Sequence, residues 1–337
     1  MNVRSLLCFC LAVALPSSAL GADHASWIDY MKANRYSCPG PFDTLKEKLS
    51  FKMGGKDYEL SGYQLKVLNP DKDRKVKIGA LGASKDVAEG TKANIEASLE
   101  WFKKQGVEWI VANGDLAMDE FDFEEIVDLL AQSGLPVLVV LGNADSRGSW
   151  ARIYRARYEK YPNLIDGTLV RQIVADDVEF WTLPGYHNKA FVKQTGACTY
   201  SGKDVTAMRS ALKPSSEDPV TLVSHGPPQG RGRWALDRIP DKVNVGDPDI
   251  SSLIKRKNIA FGIFGHILEA GGVGVGADLS SRVKPGARSD ALYVNVGSVS
   301  GDPWPMLDGS ASYGMAMIID IDAGFARYRV KRYKSRF

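Results

Sequence analysis

The sequence predicts an α/β fold, with βαβ units early in the chain and a second sheet packed on the first. Three observations carry this. From residue 75 onward, short apolar runs alternate with segments of helical periodicity, the pattern of βαβ units. Several of the apolar runs stop at a short polar motif rather than at a plain turn. The last third of the chain is rich in strand-like runs, which calls for a second sheet packed on the first.

In chain order, Arg4 precedes an apolar run over residues 6–15, followed by Pro16, Ser17, Ser18 and a small-residue stretch, Ala19-Leu20-Gly21-Ala22. A basic start, an apolar stretch too short to cross a bilayer and a small-residue site predict an export signal over residues 1–21. A buried N-terminal helix is the plainer alternative. Cys8 and Cys10 lie inside this segment without the small preceding residue a lipoprotein signal needs, and no later apolar run reaches the length of a membrane span. The mature chain is thus expected in the periplasm or secreted. It keeps two cysteines, Cys38 and Cys198, and in an oxidising compartment these are expected to pair. Residues 22–72 read as a small N-terminal extension without long periodic segments, with a short helix around Leu45 and a turn at Gly54-Gly55. His24, beside the cleavage site, is expected to be disordered.

The main domain, residues 73–337, starts after the turn-rich Asn69-Pro70-Asp71-Lys72-Asp73. Strands are expected at 76–81, 107–112, 136–141, 220–223, 259–264, 292–296, 316–321 and 326–330. Ile95, Leu99 and Phe102 mark one helix with Gly106 at its C-cap; Phe123, Ile126, Val127 and Leu130 mark a second that ends by Gly134. Of 337 residues, 44% are hydrophobic and 25% charged with a net charge of +3, an ordinary globular balance. The cations are scattered apart from Lys331, Arg332, Lys334 and Arg336, which read as a solvated tail, so nucleic acid is set aside as a partner.

The strand ends carry the chemistry. Val111-Ala112-Asn113-Gly114-Asp115 closes one strand and Val140-Leu141-Gly142-Asn143-Ala144-Asp145 another. Ser224-His225-Gly226-Pro227-Pro228 and Gly265-His266-Ile267-Leu268-Glu269 close two more. The carboxyl ends of strands are where α/β sheets bind ligands. Asp115, Asn143, His225 and His266 arriving there offer two oxygens and two nitrogens, a donor set for one divalent metal (Mn, Fe or Zn). Singly, each has a bland reading: Gly-Asp as a turn, a lone His as a satisfied polar side chain.

This order of motifs resembles the calcineurin-like metallophosphoesterase family, with its D-x-H, G-D, G-N-H-[DE], H and G-H-x-H, over about residues 76 to 321. The resemblance implies two facing mixed sheets and hydrolysis of phosphate mono- or diesters at two metals roughly 3.5–4 Å apart. It also locates a defect. Ala83 and Lys85 stand where D-x-H belongs, Leu268 replaces the second His of G-H-x-H, and Ala144 replaces the catalytic His of G-N-H-D. By this mapping three ligands of one metal and the catalytic histidine are lost. The other metal's ligands, Asp115, Asn143, His225 and His266, remain.

A divalent ion with its Asp and neutral histidines carries a single net positive charge, which Lys85 alone replaces. Two placements of Lys85 follow: its ammonium in the vacated site paired with Asp115, or turned to solvent. Arg231 and Arg233 are candidate anion contacts at the pocket mouth, with exposed loop positions as the plainer reading. Ser84 has no base placed beside it by the sequence, and His187 reads as structural. Three functions fit: a binding or scaffold component of the cell envelope with a protein partner or phosphate-containing ligand; a phosphoesterase that works with a single metal, or recruits ligands from Asp86, Asp145 or Glu269; or a metal-free structural protein.

Overall fold

A computed structural model describes residues 22–71, 73–214 and 217–335. The expected export signal lies outside the described residues, and among them no helix is long and apolar enough to cross a membrane. The first sheet has six strands in the order Phe325–Arg332, Met315–Asp322, Lys75–Leu81, Trp109–Asn113, Val137–Val140 and Leu164–Asp166. The last four run parallel. Helices Glu89–Gln105, Glu120–Ala131 and Arg147–Arg157 connect them and pack side by side. Ile110, Val111 and all of Val137–Val140 are fully buried, as expected of parallel strands covered on both faces. Gly106, at φ 67°, ends the first of these helices where the sequence places its cap.

The second sheet runs Leu49–Met53, Lys56–Ser61, Gln64–Val67, Gln172–Val174, Glu179–Leu183, Val220–Ser224, Phe261–Phe264, Leu292–Asn295, Gly274–Val275 and Arg282–Val283. Its outer face is closed by helices Gly202–Ala211 and Pro248–Lys257, whose Val205, Met208, Ile250 and Leu253 form an apolar cluster with Trp181 and Leu222.

Three expectations are corrected. The strands of the last third divide between the sheets. Met315–Asp322 and Phe325–Arg332 form a hairpin that returns to the first sheet, with Met317 opposite Ala80. The parallel strand Lys75–Leu81 would otherwise be left with an open edge, and the hairpin's buried Met315, Met317, Ile319 and Ile321 continue the core there. Around Leu45 there is no helix; its carbonyl accepts from the Ser61 hydroxyl at 2.7 Å, a backbone acceptor used by a side chain instead of a helical turn. The helix of this region is Ala22–Ala33, which buries Trp27 and Tyr30. It includes His24, which lies against Tyr158 at 6.2 Å between ring centroids rather than in a loose tail.

The turn at Gly54 and Gly55, both at positive φ, joins an antiparallel hairpin. Gln64–Val67 then adds parallel to Gln172–Val174, so the N-terminal segment supplies three strands to the second sheet. Cys38 and Cys198 form a disulfide with Cα atoms 5.5 Å apart, an ordinary separation for the bond.

Candidate metal site

The two sheets meet at the carboxyl ends of their central strands, and a buried amide joins them there. Asn113, last in its strand of the first sheet, donates from Nδ2 to the carbonyls of Ser224 and Ile263 in the second, each at 3.2 Å. The residues just beyond those ends are Asp115, Asn143, His225 and His266, and they converge. Ligand atoms of Asp115, His225 and His266 lie within 4.8 Å of one another.

Each donor is oriented by a neighbour. The Nδ1 of His225 faces the Asn113 carbonyl at 3.2 Å and is the ring's N–H donor there. In the neutral ring Nε2 then carries a lone pair, and it faces two oxygens: Asn143 Oδ1 at 3.1 Å and Asp115 Oδ1 at 3.3 Å. Asn143 donates its Nδ2 to the Phe191 carbonyl at 2.6 Å, which turns its oxygen inward. His266 lies against Tyr186, ring centroids 3.7 Å apart, and its buried Nδ1 has no hydrogen-bond partner among the described residues. A lone pair aimed at two acceptors is repulsive unless the ring is doubly protonated or a cation lies between them. With the His225 ring neutral, these residues would offer one divalent cation two imidazoles, a carboxylate and an amide oxygen.

Burial raises the Asp115 carboxyl, but the charge and hydrogen bond of His225, with His266 and the Ala144 N–H, outweigh it and hold it below the usual carboxylate range. His225 shifts the other way: burial lowers it, and Asp115 lifts it above its ordinary value. Burial and the charge of His225 push His266 down to about 3, so its ring is neutral and able to ligate. Two glycines make the close approach feasible. A Cβ on Gly114, at φ +69°, would lie 2.2 Å from His225 Nδ1, and one on Gly142 would lie 2.3 Å from Asp115 Oδ1.

Asp145, a candidate recruited ligand, is committed elsewhere. It accepts from the N–H groups of Asp115 at 2.8 Å, Leu116 and Gly142 at 2.7 Å and Ala117 at 3.3 Å, and so fixes the loop that presents Asp115. Burial and Asp115 push its carboxyl up, to about 7, against these donors. Asp86 is likewise engaged, by Ala88 N–H and Thr91 Oγ1. Glu269 lines the cavity.

Ala83 and Lys85 abut the Asp115 strand end, through Ala83 N–H to the Gly114 carbonyl at 2.8 Å and Lys85 N–H to the Asp115 carbonyl at 3.3 Å. Ser84 between them is buried, its hydroxyl donating to the Leu116 carbonyl at 2.8 Å. The Lys85 ammonium pairs with no carboxylate among the described residues, and its side chain is half-buried rather than turned out to solvent. It lies 4.0 Å from the centroid of Trp304, which offers a half-buried cation a face without desolvating a carboxylate already bonded to His225 and Ala144. Burial lowers its pKa, opposed first by Asp115.

These groups surround a cavity of 520 Å³ whose walls include Lys85, Asp115, Asn143, His266, Leu268 and Trp304. Ala144 lines it too and brings no titratable group. Arg231 and Arg233 do not: Arg233 stacks on Trp234 in an adjoining cavity and Arg231 lies on a third, because the loop after Pro228 turns away from the site. The cation at the mouth is Lys193, whose N–H donates to the Asn143 carbonyl at 3.1 Å. Nothing in its irregular sequence context signals this. His187 lies between Tyr186 and Tyr200 and gives no ligand atom to the cluster. A second acidic group, Asp71, Asp176 and Asp177, already holds Lys56, which pairs with Asp71 and Asp176.

The calcineurin-like phosphoesterase family profile matches residues 81–270, more than half of the chain, and the protein belongs to that family. Its members typically bind divalent metals. Among solved structures, TT1561 of Thermus thermophilus is 15% identical with a TM-score of 0.55, covering 77% of this chain and 99% of its own. The purple acid phosphatase PPD1 of yellow lupin is 9% identical, with a TM-score of 0.48 and coverage of 83% and 55%. A dimetal phosphatase of Danio rerio is 11% identical, with a TM-score of 0.47 and coverage of 77% and 99%. At 15% identity the likeness to TT1561 is one of fold. No curated protein matches the sequence.

Proposed function

We propose that this chain is an exported ligand-binding member of its family that holds at most one divalent cation and hydrolyses phosphate esters weakly or not at all. The observation that carries this reading is the contrast around Asp115. On one side Asn143, His225 and His266 converge with it; on the other stand Ala83, Leu268 and a Lys85 that is turned onto Trp304. A bound cation would supply a Lewis acid to a phosphate oxygen. The chain's own residues would do the rest. Lys85 and Lys193 face an incoming anion, and Ala144 offers no proton to a leaving oxygen, a function typically worth about 10²–10⁴-fold when present. The rim includes Met118, 53% exposed, and Phe191, 42% exposed, which favours a ligand or envelope partner with an apolar part.

Elemental analysis of the purified mature protein loaded with Mn²⁺ or Zn²⁺ tests the reading, beside turnover of a bis-aryl phosphodiester. The expected result is one metal per chain, lost in His225→Ala, with near-background turnover. Two metals per chain would refute the assignment of the lost ligands. Turnover abolished by Asn143→Ala would establish the single-metal hydrolase, and no metal the structural protein. The combined variant Ala83→Asp, Lys85→His, Leu268→His and Ala144→His is expected to raise metal content to two and to gain hydrolysis.

A further inference from the structure

A second cavity, of 370 Å³, adjoins the first and shares Ile239 and Glu269 with it. The hairpin Trp304–Pro305 and Ala311–Ser312 stands between them: Trp304 lines the first, and Met306 and Asp308 from its turn line the second. Five cations face this annex. Arg233, Arg238 and Lys242 come from one loop, Arg282 from a short strand of the second sheet and Arg332 from the last strand of the first. Among the described residues that line it, only Glu269 and Asp308 oppose them, and Asp308 is drawn into its own turn by Ser310, whose N–H and hydroxyl donate to it at 3.0 and 2.6 Å.

None of the five makes an ion pair with a carboxylate among the described residues. Like charges gathered from three parts of the chain repel one another, and an anion among them removes that cost. Two of the guanidiniums are also set in place. Arg233 and Arg282 lie 4.6 and 4.3 Å from the centroid of the Trp234 ring. A guanidinium stacked by its face keeps its N–H edge free for the paired oxygens of a phosphate.

We propose that the annex is a binding site for a soluble polyanion of the phosphate class, one with two or more adjacent anionic groups. The site stands without a metal and does not depend on the reading of the metal site. A ligand anchored in it extends past Glu269 toward Asp115 and His266.

Titration calorimetry of the mature protein with inorganic tripolyphosphate tests this. Binding is expected, weakened by salt and stronger than for orthophosphate by about tenfold or more. Arg233→Gln with Arg282→Gln is expected to weaken it by about tenfold or more, while His225→Ala leaves it within about twofold. The charge-keeping pair Arg233→Lys with Arg282→Lys is expected to fall between, and it keeps the test decisive should the Gln pair disturb folding. A control, Lys203→Gln with Arg209→Gln on helix Gly202–Ala211, is expected to bind as wild type. No binding, or an equal loss in the control, would overturn the proposal. So would loss in His225→Ala with the annex variants intact, which would place the anion at the metal site and leave the reading of that site standing.

Discussion

Gly142 and Gly114 set how closely Asp115 and His225 approach, so the sharpest tests of the site need not touch a ligand. In Gly142→Ala the new methyl would meet Asp115 Oδ1 at 2.3 Å and His225 Cε1 at 2.9 Å. The expected outcome is loss of bound metal in elemental analysis, with folding destabilised by about 1–3 kcal/mol in denaturant titration. A residue far from the site yields a pH test. Burial pushes Asp177 up from its ordinary 3.8 to about 6, helped by a hydrogen bond with Asp73 and the charge of Asp71 and opposed by the Lys75 N–H. Its folded pKa is above its unfolded one, so the folded state binds the extra proton. Stability is therefore lost as pH rises from about 4 through about 6, and the loss is complete above that. Asp177 also sits at φ 63°, a conformation Asn tolerates. Asp177→Asn is expected to stabilise the protein at pH 7 to 8 by on the order of 1 kcal/mol and to change little near pH 4, read as melting temperature against pH.

At the scale of elements, the N-terminal segment is fastened to the wall of the site by the Cys38–Cys198 disulfide. Residues 186–200 carry Tyr186 under His266, the Phe191 carbonyl that orients Asn143, and Cys198 itself. Arg147 adds a second fastening, bonding the carbonyls of Ser37 and Asn34 while its guanidinium pairs with buried Asp166 at 3.4 Å. Cys38→Ser with Cys198→Ser is expected to cost about 2–5 kcal/mol in denaturant titration, and a reductant should lower the wild type to the same level. Metal affinity is expected to fall with it, because the Asn143 orientation rests on that wall.

Much of this element layer was legible. Parallel strands with continuous apolar runs announce themselves, as does a helix closed by Gly106. Helix Arg147–Arg157 was missed although Trp150, Ile153 and Tyr154 repeat at helical spacing, because the apolar stripe is that short and Arg147, Arg152, Arg155 and Arg157 surround it. The three-residue strands Leu164–Asp166 and Gln172–Val174 are too short to show any period.

Across the whole molecule, the convergence of Asp115, Asn143, His225 and His266 was legible because each follows closely on a buried strand, and the topology then fixes where it arrives. The positions of Lys85 and the annex cations were not. They depend on Trp304 and Trp234, aromatic rings delivered by irregular segments whose path no local pattern records. The same topology has a consequence for synthesis. Lys75–Leu81, which leads into Ala83 and Lys85, has Met315–Asp322 as its outer neighbour, with Ala80 opposite Met317. A chain emerging in order from its N-terminus makes the site's first wall early and the strand that covers it almost last. Until residue 322 exists, an apolar strand edge stays open, and the first sheet cannot be completed.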